Sequence, residues 1–380
     1  MAANSAARTE AGGDGLRGTR IAILLAALEP AGAERVAVNL ANEFLANGLD
    51  VDLVVVRAHG PLQDHVSQSV RLVDLAANRA ATAIYPFRRY LRRERPDVVL
   101  SIGFEVNLTA SFALVGLTHK PRLVLSVHCA IEPYFQTASF PWGAGAFLAS
   151  KIMYPRADRI VAVSHGIATE LCSLKWASRE QILVVHNPVI GYDFNDLLKQ
   201  KTDHPWVLDR TVPLVVTAGR LTAQKDHALL IEAFGQVAER RPVRLLIMGE
   251  GDLRAELEQQ IARSGLVGQV ALLGQVPNPF PIIRAADLFV LSSAYEGFGN
   301  VLVEAMAAGT RVISTDCPHG PSEILEGGKW GRLVAVGDVA ALATAIDEAL
   351  DTPGPSAVTR GGEFTVEAAG AKYLELMKAL

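Results

Sequence analysis

The sequence predicts an α/β protein with two domains, each built on a parallel sheet. At 380 residues the chain is long enough for two ordinary domains, and half of its residues are hydrophobic, so a large core is available. Short apolar runs such as Arg20 to Ala27 are continuous rather than alternating, which is typical of strands buried on both faces. Helical patterns follow several of these runs after short glycine loops, and this alternation favours an α/β architecture.

The charge is modest and unevenly distributed. The net charge is −4, which is not that of a nucleic-acid-binding protein. Residues 1–190 hold 19 Lys and Arg against 16 Asp and Glu, whereas residues 191–380 hold 17 against 24. The weakly basic first half suits an anionic partner such as a membrane surface.

The cysteines and the apolar runs bear on the compartment. Cys129, Cys172 and Cys317 are odd in number and far apart, which argues against a disulfide framework or a zinc site and favours a reducing, cytoplasmic compartment. Residues 1–19 are small and polar, and we expect a disordered tail without a signal peptide. The longest apolar run, Phe140 to Met153, is shorter than the ~20 residues needed to span a bilayer.

The first domain, residues 20–188, opens with a strand from Arg20 to Ala27, a short loop that ends at Gly32, and a helix from Ala33 to Ala46. No G-x-G-x-x-G sequence follows the strand, so a dinucleotide-binding dehydrogenase is disfavoured. Gly32 marks either a loop that approaches a ligand or a plain turn. Further strands are predicted at 50–57, 97–102 and 122–127.

The segment from Ile84 to Arg95 reads as an amphipathic helix that ends before Pro96. Its apolar face is formed by Ile84, Phe87 and Leu91, and arginines cover the rest. These are Arg88, Arg89, Arg92, Arg93 and Arg95. They form either an ordinary solvated face or a patch that contacts anionic lipid headgroups on the cytoplasmic side of a membrane.

His128 stands directly after the predicted strand 122–127. In open parallel sheets, ligands bind outside the carboxyl ends of the strands. His128 is therefore a candidate site residue, although a lone histidine is often structural. We expect Ser164 and Gly166 to lie in a turn between a strand and a helix, with a loop role near the ligand.

The second domain, residues 189–380, begins after Asn187-Pro188. Residues 191–210 are mixed and polar and suit a connection. A strand at 213–218 leads into Gly219, and Arg220 and Lys225 follow at its carboxyl end. Two cations there would neutralise a diphosphate leaving group, although a charged surface turn has the same composition. Further strands are predicted at 244–248, 270–273, 287–291 and 331–334, and helices at 340–350 and 364–380.

The stretch from Leu291 to Leu325 reads as a strand end, a glycine loop, a helix at 301–308 and a strand at 311–315, with Gly309 as the helix stop. Asn300 is the expected N-cap. A helix start behind a glycine loop suits phosphate or sugar oxygens. Glu296 and Glu304 could each accept hydrogen bonds from a vicinal diol of a nucleotide sugar, or they could be a surface acid and a helix-favouring residue.

These motifs together resemble the E-x7-E signature of retaining glycosyltransferases of family 4. That family has the GT-B fold, in which two Rossmann-like domains face each other across a cleft. The resemblance spans residues 20–380 and includes the G-R-L-x3-K-D run after the strand at 213–218. It implies that the last helix, 364–380, packs on the first domain.

The resemblance also implies residue roles. Arg220 and Lys225 would bind the donor phosphates, Glu304 the ribose diol, and Glu296 the sugar hydroxyls, while His128 would position the acceptor. The backbone around the nucleotide sugar would come from Gly32, Gly219, Val276, Phe298, Gly299, Asn300 and Val301. The family requires no metal and no other cofactor.

The run STDCPHGPSEIL resembles a subgroup that transfers hexoses or N-acetylhexosamines, usually from UDP donors, to surface glycans or lipid-linked acceptors such as polyprenyl diphosphates. The chain departs from the pattern in its single glycine in the first loop and in His319 after Pro318. These departures affect the substrate rather than the fold.

Two other functions are compatible with such a chain. One is a nucleotide-sugar-binding partner subunit without activity, which the intact Arg220, Lys225, Glu296 and Glu304 argue against. The other is a GT-B sugar epimerase or phosphorylase, of which the phosphorylase would need a cofactor lysine and a longer chain.

Overall fold

The computed structural model describes residues 15–137, 142–209, 211–352 and 354–380. Most of the predicted tail lies outside these residues. Residues 15–18 form a turn, and Leu16 is buried in the core of the first unit, so ordered structure begins before Arg20. The described chain divides into two compact units, one of residues 1–188 with 365–380 and one of residues 189–364.

The first unit contains a sheet of seven parallel strands in the order β3-β2-β1-β4-β5-β6-β7. The strands are β1 (Arg20–Leu25), β2 (Asp50–Val55), β3 (Arg71–Asp74), β4 (Val98–Ile102), β5 (Arg122–Val127), β6 (Arg159–Ala162) and β7 (Ile182–Val184). The helices of residues 1–188 are α1 (Gly32–Ala46), α2 (Ile84–Glu94), α3 (Phe104–Leu114), α4 (Ile131–Thr137), α5 (Trp142–Met153) and α6 (His165–Ser173).

The second unit contains a sheet of six parallel strands in the order β10-β9-β8-β11-β12-β13. The strands are β8 (Leu214–Ala218), β9 (Arg244–Met248), β10 (Val270–Gly274), β11 (Leu288–Leu291), β12 (Val312–Thr315) and β13 (Arg332–Val334). The helices are α7 (Phe194–Leu198), α8 (Pro205–Leu208), α9 (His227–Ala238), α10 (Arg254–Arg263), α11 (Phe280–Ala285), α12 (Asn300–Ala307), α13 (Pro321–Ile324), α14 (Val339–Asp351) and α15 (Val358–Gly361).

Both sheets therefore have the parallel, doubly wound architecture that the sequence predicts. The central strands are buried on both faces, and Ile21, Ile23 and Leu24 of β1 are fully inaccessible to solvent. The segment 191–210 was predicted as an irregular connection, but it contains α7 and α8. Phe194 of α7 packs on Phe280 of α11 with ring centroids 4.9 Å apart, and this contact stabilises a helix too short to form alone.

Helix α16 (Val366–Lys378) closes the chain and belongs to the first unit. Its buried side chains, among them Tyr373, Leu374 and Met377, lie in the same core cluster as β1 and α1. The ring of Tyr373 meets that of Phe44 edge-on at 6.1 Å. The core of the first unit is thus built from two separate parts of the chain.

In each sheet, the strand order reverses between two central strands. These are β1 and β4 in the first unit and β8 and β11 in the second. The loops that leave the carboxyl ends of such a pair diverge to opposite faces of the sheet, and the crevice between them is where α/β proteins bind ligands.

We expect Leu374→Ala to destabilise the first unit by about 2–5 kcal/mol, because the substitution leaves a cavity in its core. Hydrogen exchange read by mass spectrometry should show faster exchange in β1 and β4. Strands β8 to β13 should keep their protection, and Leu148→Ala, at a side chain that is 59% exposed, should change neither unit. Equal loss of protection in both units would contradict the placement of α16.

Candidate functional site

The candidate site of the second unit lies where the strand order reverses. Strand β8 leads into Gly219, Arg220 and Lys225, and β11 leads into the loop that carries Glu296. Because β8 and β11 are neighbouring parallel strands, their carboxyl ends lie at the same edge of the sheet. The two motifs that the sequence analysis singled out separately are therefore adjacent in space.

Lys225 and Glu296 form an ion pair at this edge. Lys225 Nζ lies 2.5 Å from Glu296 Oε1, and their side chains are 15% and 7% exposed. Ser293 Oγ donates a second hydrogen bond to the same oxygen at 2.7 Å. Among the described residues no hydrogen-bond donor contacts Glu296 Oε2, so one carboxylate oxygen is left to accept a hydrogen bond from a ligand.

Backbone contacts hold the two loops together. Ala294 N donates to Gln224 O at 2.8 Å, and Gln224 Nε2 donates to Tyr295 O at 3.1 Å. Ser292 Oγ donates to Lys225 O at 2.8 Å. Gly219 lies against the aliphatic part of Lys225, since a Cβ at this glycine would be 3.4 Å from three Lys225 carbons. The ammonium group is thus held by its own loop and by its neighbour.

The loop after β12 supports Glu296 from the other side. Glu296 N donates to Pro318 O at 2.6 Å, and His319 N donates to Glu296 O at 2.8 Å. Gly320 has a φ of +99°, and a Cβ there would lie 1.9 Å from Phe298 O. Only glycine fits this position, because both the backbone conformation and the space exclude a side chain.

Helix α12 begins one residue earlier than expected, which corrects the assignment of Asn300. Gly299, with a φ of +103°, is the N-cap, and Asn300 is the first helical residue. The Phe298 side chain is 2% exposed and packs on Phe364 at 5.4 Å, so it anchors the loop. Phe298 can therefore meet a ligand only through its backbone. Val301 and Glu304 follow on α12 and are both half-buried.

The remaining predicted residues of this unit lie at the same edge of the sheet. Arg220 is exposed, and its guanidinium has no ionic partner among the described residues. Val276 is half-buried in the loop that follows β10. His227, the first residue of α9, is buried, and its burial, with the nearby charge of Lys225, lowers the pKa of the imidazole to about 4. A neutral histidine adds no charge next to the lysine.

In the first unit, Gly32 and His128 also follow the carboxyl ends of strands. Gly32 is exposed at the start of α1, after β1, and His128 is half-buried after β5. His128 Nε2 lies 2.8 Å from Ser126 Oγ, and burial lowers the pKa of the imidazole to about 4. Ser164 is buried and caps α6, accepting a hydrogen bond from Ile167 N at 3.3 Å, which is a structural role.

Several supporting residues were not predicted. Ser293 stands three residues before Glu296, and no pattern separates it from Ser292. Glu170 on α6 accepts hydrogen bonds from Ile131 N and Glu132 N at 2.9 and 2.7 Å, and so fixes the start of α4 just after His128. These contacts join residues distant in sequence, so periodicity could not reveal them.

Two family models match the chain in succession. One, described as Glycosyltransferase Family 4, matches residues 30–190, and the other, described as Glycosyl transferases group 1, matches residues 212–352. Together they cover more than three quarters of the chain. The chain belongs to glycosyltransferase family 4. Its two doubly wound units are those of the GT-B fold.

Named relatives agree with membership of family 4. The chain is 27% identical over 363 residues to the lipopolysaccharide core biosynthesis glycosyltransferase LpsE of Rhizobium meliloti, with 91% of this chain and 95% of that one aligned. It is 42% identical over 253 residues to an uncharacterized glycosyltransferase of Methanocaldococcus jannaschii, covering 63% of this chain and 61% of that one.

The chain is also 30% identical over 218 residues to an N-acetylgalactosaminyltransferase of Campylobacter jejuni, covering 57% of each chain. The full name of that enzyme specifies a diphospho-undecaprenol acceptor. The chain thus spans about three fifths of the length of the Methanocaldococcus and Campylobacter relatives.

The solved structure of HepE from Anabaena, in complex with UDP and glucose, superimposes with a TM-score of 0.79 at 21% identity. The match covers 95% of this chain and 100% of that one. At this identity the likeness supports the GT-B fold alone.

We expect Gly320→Ala to destabilise the second unit far more than Gly327→Ala. Both glycines have a positive φ, which costs alanine roughly 1–2 kcal/mol, but a Cβ at Gly327 meets nothing within 4 Å, whereas one at Gly320 overlaps Phe298 O. Calorimetric unfolding should show the difference. Equal effects of the two substitutions would mean that the loop after β12 can move away from Phe298 without cost.

Proposed function

We propose that this glycosyltransferase moves a hexose or N-acetylhexosamine from a UDP-linked donor to a hydroxyl group of a glycan or lipid-linked saccharide, with retention of anomeric configuration. The observation that carries the proposal is the Lys225–Glu296 pair, with Arg220 nearby in sequence, at the edge where β8 and β11 diverge. This arrangement places cations for a diphosphate next to a carboxylate for a sugar.

The relatives support the substrate class. The names of the Campylobacter and Rhizobium proteins assign them to the transfer of sugar to a diphospho-undecaprenol acceptor and to lipopolysaccharide core assembly. HepE was crystallised in complex with UDP and glucose. A UDP-sugar donor and a membrane-linked glycan acceptor are the classes that these relatives and the motifs of this chain jointly favour.

Lys225 and Arg220 would stabilise the leaving diphosphate. Departure of the nucleotide builds negative charge on the phosphate oxygens, and fixed cations lower the energy of that state. An ammonium group has three donors, so Lys225 can keep its bond to Glu296 while it binds a phosphate oxygen. With two cations and the N-terminus of α12 at this edge, we propose that no metal ion is required, and activity should survive a chelator.

Glu296 and the start of α12 would hold the sugar. Glu296 Oε2 would accept a hydrogen bond from a sugar hydroxyl, while Oε1 stays engaged by Lys225 and Ser293. The backbone from Phe298 to Val301 would donate to the remaining sugar and phosphate oxygens, helped by the helix dipole. Glu304, in the second turn of α12, would accept from the ribose diol.

His128 would position the acceptor hydroxyl. Because burial keeps its imidazole neutral at pH 7, His128 can orient a hydroxyl through a hydrogen bond without adding charge. Retention would follow if the acceptor attacks on the face from which the nucleotide leaves. Proton nuclear magnetic resonance of the new glycosidic linkage reads that outcome directly.

We expect Lys225→Ala to reduce kcat by about 100-fold or more, because one fixed donor to a developing anion is worth that much. A screen of UDP-, GDP- and ADP-linked sugars against a lipid-linked acceptor, read by mass spectrometry, identifies the donor first. Lys199→Ala is the matched control, since Lys199 is an exposed lysine of the same unit with only a 3.5 Å contact to Asp196.

A loss of less than threefold in Lys225→Ala would contradict the assignment of Lys225 to the phosphates. Nucleotide binding without any sugar transfer would instead indicate a binding subunit, and an altered free sugar nucleotide would indicate an epimerase. A linkage of inverted configuration would overturn retention alone.

We also propose that α2 and the neighbouring end of α3 contact an anionic bilayer on its cytoplasmic side. Arg89, Arg92 and Arg95 are exposed, and their side chains have no ion-pair or hydrogen-bond partner among the described residues. Tyr85 and Val115 are 72% and 55% exposed.

Two other arginines of α2 have partners within the protein. Arg88 donates to Ala113 O and Val115 O, and Arg93 pairs with Glu94. None of the helices in the described ranges combines the length and hydropathy needed to cross a bilayer.

Reversing two charges, Arg89→Glu with Arg92→Glu, should weaken sedimentation with anionic vesicles at low salt at least about thirtyfold, from roughly 1 kcal/mol per basic residue. Lys372→Glu with Lys378→Glu, on exposed positions of α16, is the control and should bind as the wild type does. Absence of wild-type binding would mean that the α2 arginines are only a solvated face.

A further inference from the structure

A chain of hydroxyl groups connects His128 to the last helix. His128 Nε2 lies 2.8 Å from Ser126 Oγ, and Ser126 Oγ lies 3.2 Å from the Tyr373 hydroxyl. Tyr373 is 247 residues further along the chain than Ser126, and both belong to the first unit. Ser126 is fully buried and Tyr373 is 2% exposed, so water does not compete for these bonds.

The protons shared by the Tyr373, Ser126 and His128 side chains have one arrangement that leaves the fewest polar atoms without a hydrogen-bond partner. Among the described residues, Ser126 Oγ is the hydrogen-bond partner of the Tyr373 hydroxyl. The Tyr373 proton therefore has an acceptor only when the phenol donates to Ser126 Oγ. Ser126 is then free to donate to His128 Nε2, which accepts. In this arrangement, His128 Nδ1 is the one side-chain polar atom among these three residues that lacks a partner.

Each alternative arrangement is less favourable. If His128 Nε2 carries the proton and donates to Ser126, then either the Ser126 or the Tyr373 proton has no acceptor. The Nδ1 lone pair is unmet as well, so two buried polar groups lack partners instead of one. Buried polar groups are strongly selected to be paired, so the first arrangement should dominate.

We propose that Ser126, held in orientation by Tyr373, is a positioning residue that fixes His128 in the tautomer with its proton on Nδ1. The hydrogen bond that one imidazole nitrogen makes determines whether the other nitrogen carries the proton. Nδ1–H is therefore presented as a donor to an oxygen of the substrate, and this step rests on the proposed role of His128 in sugar transfer. The final helix thereby contributes to the site.

Two further observations support this assignment. His128 Nδ1 is buried without a partner among the described residues, which is the condition expected of a donor that waits for a ligand. Burial also raises the pKa of Tyr373 to about 12, so the phenol keeps the proton that begins the chain. The imidazole is neutral, as required for a defined tautomer, because its pKa is lowered to about 4.

The test reads the tautomer directly. The full chain is labelled with ¹⁵N at its nine histidines, and the ring nitrogens are observed by nuclear magnetic resonance, with His128 assigned from the signals lost in His128→Gln. We expect the wild type to show a protonated Nδ1 and an unprotonated Nε2. Ser126→Ala should shift the population towards Nε2–H, and Tyr373→Phe should cause a smaller shift in the same direction.

A double variant separates positioning from stability. Ser126→Ala leaves the buried Tyr373 hydroxyl without a hydrogen-bond partner and should lower the Tm. Ser126→Ala with Tyr373→Phe removes both hydroxyl groups and should recover much of the lost Tm. The tautomer shift and a fall in kcat of about tenfold or more should persist in the double variant. Tyr90→Phe, which removes a buried hydroxyl bound to Asp52 at the amino ends of the strands, should leave the tautomer of His128 unchanged.

Three kinds of result would contradict the positioning role of Ser126 or the proposed function. An Nε2–H tautomer in the wild type, or a tautomer that Ser126→Ala does not change, would overturn the inference. If the tautomer responds as expected and kcat does not, Ser126 orients His128 without consequence for transfer, and the positioning role is wrong. If the tautomer responds but the wild type transfers no sugar, the positioning of His128 stands and the proposed function fails.

Discussion

The ion pair between Lys225 and Glu296 is the interaction on which the second unit's site depends. Two charges this far removed from solvent are costly unless they are paired and hydrogen-bonded. The protein meets this condition with a direct contact, a serine donor and backbone bonds to two neighbouring loops. Losing either partner would leave the other charge buried and would loosen the loops after β8, β11 and β12 together.

The parallel topology makes this pairing possible. Lys225 and Glu296 are 71 residues apart, yet β8 and β11 are neighbours, so both loops leave the same edge. In the first unit, Gly32 and His128 likewise follow the carboxyl ends of parallel strands, Gly32 after β1 and His128 after β5. The positions of the candidate side chains follow from the strand order, and the identity of each side chain determines the chemistry that we propose for it.

Much of the architecture was predictable because buried parallel strands are short apolar runs. The strands at 122–127 and 244–248 have the predicted bounds. The first strand was predicted to reach Ala27, but it ends at Leu25, and Ala26 is exposed. Alanine marks strand ends poorly, because it is apolar enough to continue a run and small enough to tolerate solvent. Helices α7 and α8 were missed because they depend on tertiary packing.

The candidate site could be proposed from the sequence only where its motifs are local. Arg220, Lys225, Glu296 and Glu304 stand in short stretches whose residue types suggest their chemistry. The contacts that support these four residues cannot be recognised from residue types in the same way. Pro318 reaches Glu296 through its carbonyl, which any residue could offer, and Tyr373 reaches Ser126 across most of the chain. A single sequence does not reveal contacts that depend on three-dimensional proximity and on no particular residue type.

The discontinuous first unit has a consequence for synthesis on the ribosome. Residues 189–364 form a continuous unit that can complete its core as soon as they have emerged. Residues 1–188 emerge earlier, but their core lacks the side chains of α16 until residues 366–378 are made, about 10 to 40 s later at usual elongation rates. The nascent first unit therefore leaves the apolar surface that α16 covers without its packing partner throughout that interval.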